Sequence, residues 1–447
     1  MSRSIDIRAI LNRPELGAFR RRVLLLCWTI AVLDGFDVQA MAFVAPVLGQ
    51  AWQVPKPVMG WVLTAGLVGL MLGSIGLGRL SDKVGRRPVL LGSVVLFGVA
   101  SLLTALSQSE LQLMLMRCIT GIGLGGVTVS ALALMAEYAP DRSRASLVTA
   151  MYVGFPIGGS IAGLLATPLI STFGWQSVFI VGGVAPLLLI ALIWRVLPES
   201  LQFNVMRGVP REQIEAVVVK IAPDHVPQPG DRFVIEEQRV GNTSAAELFA
   251  PGRLSSTLLL WVISFANMLV LYALINWLPS ILHQAGFSLA AANVGAVAFN
   301  LGGVAGALML SRVVDRLGAF KVLAVAYALA AAVSFTLAHA GNASLAFALT
   351  LLAGAGVIGC QFCINALASV IYPTPVRATG VGWMLGVGRI GSIAGPLLGG
   401  VALGAGATPQ TILSLSALPM LACAVAVALL GLTISRVAFV RSVESNS

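Results

Sequence analysis

The apolar residues of this chain come in unbroken runs of about 20 or more, separated by short polar breaks, rather than at every third or fourth position. Runs of that length suit helices surrounded by lipid and are too long for a helix with one solvated face. On this criterion the pattern predicts twelve transmembrane helices, near residues 22–48, 57–80, 88–107, 111–137, 144–171, 175–197, 254–284, 289–314, 319–339, 343–372, 376–404 and 408–434. One long polar stretch, 198–253, carries prolines 210, 223, 227 and 229. It divides the chain into a six-helix bundle at 1–197, a linker at 198–253 and a second six-helix bundle at 254–447.

The two bundles are copies. A shift of 233 residues aligns Trp28 with Trp261, Asp82 with Asp315 and Gly85 with Gly318, and sets Gly121, Gly123 and Gly126 on Gly354, Gly356 and Gly359. The same shift aligns Pro140, Arg144 and Ala145 with Pro373, Arg377 and Ala378. One constant offset across several helices marks a tandem duplication, and the expected architecture is two pseudo-symmetric six-helix bundles.

Composition closes off other classes. Hydrophobic residues make up 57% of the chain and charged residues 10%, against about 25% charged in an average soluble domain. Mean hydropathy is +0.92. A water-soluble enzyme or nucleic-acid module cannot be built from this. The net charge of +10 looks like a signal for an acidic partner until the bases are placed. Arg117 and Arg389 lie deep within spans and Lys56 lies on an odd-numbered connection; the others collect at the N-terminus, the even-numbered connections, the linker and the C-terminus. Bases gather on the cytoplasmic side of membrane proteins, so both termini and the linker are expected there, in a multi-pass membrane protein with no nucleic-acid partner. Arg20, Arg21 and Arg22 open a run too long for a cleaved signal, which reads as an uncleaved first span. Cys27, Cys118, Cys360, Cys363 and Cys423 all sit in apolar runs and read as packing residues; Cys360 and Cys363 have CxxC spacing but no second ligand pair, so no metal or other cofactor is expected.

Residues 78–90 read GRLSDKVGRRPVL. Positive-inside charge explains the bases but not the acid and glycine set among them, nor the partial second copy SRVVDRLGAFK at 311–321. With Gly78, Asp82, Lys83, Gly85, Arg86 and Arg87 matching each position of the signature G-x-x-x-D-(R/K)-x-G-R-(R/K), and Ser311 replacing glycine in the second copy, the chain resembles the major facilitator superfamily. That resemblance implies the major facilitator fold and a cytoplasmic gate in which Asp82 meets the N-terminal end of the eleventh span, where a helix favours an anion. Arg86, Arg87, Glu137, Arg144, Asp315 and Arg377 are the other expected gate residues.

Within the first span, Leu33-Asp34-Gly35-Phe36-Asp37 puts two carboxylates three residues apart on one helix face, about 18 and 22 Å along the helix from Arg22. Carboxylates at that depth are costly unless they face a partner or a cavity, so a functional role is expected. The D-G-x-D pattern, together with Ser4-Ile5-Asp6 through Pro14 and RVLLLCW at 22–28, is similar to the aromatic acid:proton symporter family, whose members import benzoate-like acids such as 4-hydroxybenzoate. Asp34 and Asp37 occupy that family's two aspartate positions.

Arg117 lies within reach of Asp37 by helical rise, and these three residues form the expected proton-coupling set. Arg389, about 20 Å into the eleventh span, is too deep to snorkel easily. By the resemblance it is the carboxylate anchor, since a guanidinium can hold both oxygens at once. Phe36, Tyr152, Trp383, Asn300 and Gln361 are the chosen contacts to a substrate ring and its polar groups, from a wider set that includes Asn267 and Asn365. Gly391, Gly395, Pro396, Gly399 and Gly400 permit close contact and bending in the eleventh span; their counterpart around Gly154–Gly159 in the fifth is degenerate, which disfavours an antiporter. His225, His283 and His339 fall in connections, which leaves proton transfer to a carboxylate.

The expected function is a proton-coupled symporter for a small aromatic carboxylate, with that acid, protons and the lipid bilayer as its partners and a monomer as the working unit. A proton-driven exporter, or a symporter of another organic solute, remains open on the same fold. A membrane enzyme would need a nucleophile, metal or phosphate-binding constellation that the sequence lacks.

Overall fold

The computed structural model describes residues 4–12, 16–222, 231–235, 245–250 and 252–444. His225 and the prolines at 14, 223, 227 and 229 lie outside them. Among the described residues, twelve helices are long and apolar enough to cross a membrane. The first six are α2 (Ala18–Ala51), α3 (Lys56–Val84), α4 (Arg86–Thr104), α5 (Glu110–Tyr138), α6 (Arg144–Phe173) and α7 (Gln176–Val196). The second six are α10 (Leu254–Gln284), α11 (Leu289–Leu317), α12 (Ala319–Ala338), α13 (Ala343–Ile371), α14 (Thr374–Gly404) and α15 (Pro409–Glu444). The short elements β1 (Ser4–Asp6) and α1 (Ile7–Leu11) precede them, and α8 (Leu201–Met206), α9 (Arg211–Ile221) and β2 (Arg232–Val234) lie in the linker. His283 belongs to the last turn of α10 rather than to a connection, because that helix continues through Pro279 to Gln284. All five cysteines are free thiols and four of them are buried.

The duplication is visible in side-by-side packing. A methyl added at Gly69 would lie 2.0 Å from the Cys118 carbonyl oxygen, and one at Gly302 would lie 1.9 Å from that of Leu351. Gly73 meets Ile122 as Gly306 meets Ala355, and Gly121 meets Gly66 as Gly354 meets Phe299. Every member of these pairs is 233 residues from its counterpart. Hydrocarbon supplies no hydrophobic drive between helices, so backbone contact through small residues holds α3 on α5 and α11 on α13. Helix starts repeat too: Ser109 caps α5 at Gln112 and Asn342 caps α13 at Leu345.

The chain divides into two compact units. The first holds Met1–Val38, Ala65–Gly159 and Gln176–Arg239. In it the linker is more than a spacer: β2 pairs in parallel with β1, Ser4 opposite Arg232 and Asp6 opposite Val234. Ile7, Ile10 and Leu11 of α1 join Ile214, Val218 and Ile221 of α9 in one core with Val23 and Cys27. Asn12 and Asp141 exchange hydrogen bonds, and Arg20, almost fully buried, donates twice to the Tyr138 carbonyl at 3.1 and 2.9 Å. The second unit holds Gln39–Thr64, Ser160–Trp175 and Val240–Ser447, so it takes in segments of α2, α3 and α6 as well as the last six helices. Inside it Gln39 and Asn300 exchange amide hydrogen bonds at 3.2 and 2.8 Å, and Asn293 donates to Thr167 at 3.0 Å.

Candidate functional site

Both carboxylates of α2 are buried in the first unit, Asp34 at 7% and Asp37 at 0% exposure. The glycine between them has a steric purpose. A methyl on Gly35 would lie 2.0 Å from the Phe155 carbonyl oxygen, and one on Gly158 would lie 1.9 Å from that of Val32, so α2 and α6 touch backbone to backbone beside the acids. Asp34 Oδ2 accepts a hydrogen bond from Thr128 Oγ1 at 3.0 Å. Asp37 Oδ2 lies 2.8 Å from Arg117 Nη1, and Ser101 Oγ donates to its other oxygen at 3.1 Å. Arg117 Nη2 donates to the Asp37 carbonyl at 3.0 Å, while the guanidinium lies 5.5 Å from the Phe179 ring centroid. A buried ion pair is tolerated when its remaining lone pairs and protons are also matched, and this one has a hydroxyl, a carbonyl and a ring face around it.

In the second unit Arg389 is half-buried, and its guanidinium has no hydrogen bond or ion pair among the described residues. Gln361 belongs to an amide ladder: Asn267 Nδ2 donates to Gln361 Oε1 at 2.5 Å, and Gln361 Nε2 donates to Asn365 Oδ1 at 3.0 Å. The ladder is directional. Asn267 Nδ2 also donates to the Val357 carbonyl at 3.3 Å, which fixes the orientation of its amide and therefore of the next two. Trp383 is stacked on Trp261 at 5.8 Å, with Phe249 edge-on to Trp261 at 5.7 Å. Phe36 is buried against Gly182, Tyr152 is more than a third exposed, and the Asn300 amide is engaged by Gln39.

At the base-rich end of the first unit, Arg86 bridges Asp82 at 3.3 Å and Glu137 at 3.4 Å. Gly85 precedes α4 and has no side chain with which to cap it. Glu199 fills that position from the far side of the sequence, accepting from the backbone N–H of Arg86 at 2.9 Å, of Arg87 at 3.2 Å and of Ser200 at 2.8 Å. The Arg87 side chain donates to the Trp194 carbonyl. Arg144 stays apart from the cluster, paired with Asp141 at 2.5 Å and donating to the Ala136 carbonyl at 2.8 Å. In the second unit Asp315 is exposed, and Arg377 donates to the Tyr372 carbonyl at 3.3 Å.

A family profile described as the Major Facilitator Superfamily matches residues 27–396 and again 260–442. The chain belongs to that superfamily. It is a membrane carrier and not an enzyme. It is 38% identical to the 4-hydroxybenzoate transporter PcaK of Pseudomonas aeruginosa over 96% of each chain, and 37% identical to a gallate transporter of Pseudomonas putida over 95% of this chain and 94% of that one. The 3-(3-hydroxy-phenyl)propionate transporter of Escherichia coli is 36% identical over 91% and 92%. Among solved structures, a D-xylose-proton symporter superposes with a TM-score of 0.70 at 17% identity, covering 90% of this chain and 97% of that one, a likeness of fold alone.

Within the superfamily signature the sequence pattern points to Asp82 and Arg86 but not to Glu199. A carboxylate following Pro198 directly after a span, with an uncapped glycine-led helix elsewhere in the same half, was the available signal. Ser101 and Thr128, which hold the two aspartates, carry no signal in the sequence, because a hydroxyl within an apolar run most often bonds its own helix, as Thr128 also does at Leu124.

Proposed function

We propose that the protein is a proton-coupled symporter that imports a small aromatic carboxylate, 4-hydroxybenzoate or a related benzoate, across the bacterial inner membrane. The observation that carries this reading is the pairing of charges: Asp37 neutralises Arg117, while Arg389, also within a span, has no protein counter-charge among the described residues. A carboxylate ligand supplies the missing anion, and the relatives named for 4-hydroxybenzoate, gallate and a phenylpropionate all carry aromatic acids by name. In this reading the base-rich end and both termini are cytoplasmic, the monomer is the working unit, and the halves 1–197 and 254–447 alternate access through linker 198–253.

Protonation of Asp37 or Asp34 is the coupling step. A protonated Asp37 no longer neutralises Arg117, so the intramembrane region becomes more positive and an incoming carboxylate binds more tightly. By linkage the bound anion favours protonation to the same extent. The loaded carrier crosses with its charges compensated. The cluster of Asp82, Arg86, Arg87 and Glu137, with Glu199 added to the set, forms the cytoplasmic gate, together with Arg144, Asp315 and Arg377.

The test is uptake of labelled 4-hydroxybenzoate into proteoliposomes with an imposed pH gradient. Accumulation should require an acidic exterior, stop with a protonophore, and fail in Asp34→Asn and Asp37→Asn. Uphill uptake in both variants would remove the proton route. Gradient-driven efflux with no import would establish the exporter instead.

A further inference from the structure

The first unit contains a recess with a cavity volume of about 220 Å³ at its base-rich end, where the end of α7 meets α9. Arg87, Arg195 and Lys220 line it, together with Asn204 and Gln213. Arg195 and Lys220 make no hydrogen bond or ion pair among the described residues. Asn204 is only 8% exposed, and its side-chain amide has no partner among the described residues either. That amide opens onto the recess, which also holds two unpaired cations. The opposing charges are Glu199, whose carboxylate is already held by three backbone N–H groups, and the carbonyl end of α7, one of whose oxygens accepts from Arg87. The balance favours an anion.

The level and surroundings of the recess identify the kind of anion. Arg195 is the penultimate residue of a membrane-spanning helix, and Trp194 beside it is 63% exposed, as interfacial tryptophans are. Leu188 and Leu192 lie seven and three residues before Arg195, hence on its face of α7, and both are exposed. An apolar stripe that ends in a basic, amide-lined recess fits a molecule with hydrocarbon tails and a phosphate. We propose that this recess is a binding site for an anionic phospholipid, with the phosphate at Arg195, Lys220 and Asn204 and an acyl chain along Leu192 and Leu188. Free phosphate esters share the headgroup chemistry but have nothing to place on the stripe.

Native mass spectrometry of the full chain released from detergent, with added phosphatidylglycerol or phosphatidylcholine, tests the assignment. The wild type should retain one phosphatidylglycerol in preference to phosphatidylcholine. The Arg195→Gln/Lys220→Gln double variant should hold it roughly thirtyfold more weakly, at about 1 kcal/mol per base near an anionic surface. Arg312→Gln/Arg316→Gln, which removes two exposed bases outside the recess, should leave retention unchanged. Equal losses in the two double variants, or equal retention of the two lipids by the wild type, would overturn the site. Displacement of the lipid by an equal concentration of glycerol phosphate would overturn the lipid as its occupant. Thermal melting of each variant separates lost binding from lost fold.

Discussion

Asp37 on α2 and Arg117 on α5 are joined at 2.8 Å with side chains 1% and 4% exposed, and neither reaches solvent in this state. Removing only one of them strands the other charge. Arg117→Leu should therefore lower stability by about 3 to 5 kcal/mol, whereas Asp37→Leu/Arg117→Leu should melt close to the wild type, because an apolar pair can replace a buried ion pair with little loss. Neither variant should concentrate substrate. Melting in detergent reads the first claim and proteoliposome uptake the second; a double variant as unstable as the single one would show that the pair anchors the helices.

Arg389 tests the anchor. Arg389→Lys keeps the charge and loses the planar two-point contact, so affinity for the acid should fall by roughly ten- to a hundredfold, the equivalent of about 1.5 to 3 kcal/mol. Arg389→Ala should fall further. The amide analogue of the substrate should bind wild type and variants alike. If acid and amide lose affinity equally, Arg389 shapes α14 instead of reading the carboxylate.

The amide ladder makes a prediction about ring substituents. Val357 fixes Asn267, which fixes Gln361, so Asn365 presents an N–H, a donor suited to a ring oxygen. Asn365→Leu should reduce the preference for 4-hydroxybenzoate over benzoate by about two- to tenfold, the worth of one net hydrogen bond at about 0.5 to 1.5 kcal/mol. Unchanged preference in competition binding would remove the ladder from substrate contact.

Gly85 and Gly318 occupy equivalent positions, with φ of +117° and +88°. Alanine at either should cost about 1 to 3 kcal/mol in backbone strain. Only at Gly85 would the methyl meet a neighbour, 2.4 Å from Glu199 Oε2, whereas nothing lies within 4 Å at Gly318. Gly85→Ala should therefore melt at a lower temperature than Gly318→Ala, by the added loss of a charged hydrogen bond. Equal melting would show that the Glu199 cap contributes nothing.

The spans and the duplication were legible because each is a local or periodic property: a run of about 20 apolar residues, or a constant offset between like residues. Asp34, Asp37 and Arg117 stood out by the same logic, as charges where charge is expensive. The linker was read as polar sequence, and its real content was hidden. Ser4–Asp6 pairs with Arg232–Val234, three residues each, far too short to register as strands before their partner is known. Glu199 likewise derives its meaning from a helix start more than a hundred positions away. His283 falls at the very end of the seventh span, where helix and connection are not separable by hydropathy, and α10 runs through it to Gln284.

The pairing of β1 with β2 also sets an order of events during synthesis. Chains are made from the N-terminus, so Ser4–Asp6 emerges first and waits, without its partner, while six spans are threaded into the membrane. Only when Arg232–Val234 leaves the ribosome does the strand close, before Leu254 begins the seventh span. The small sheet can therefore form only after all six spans of the first half have been made.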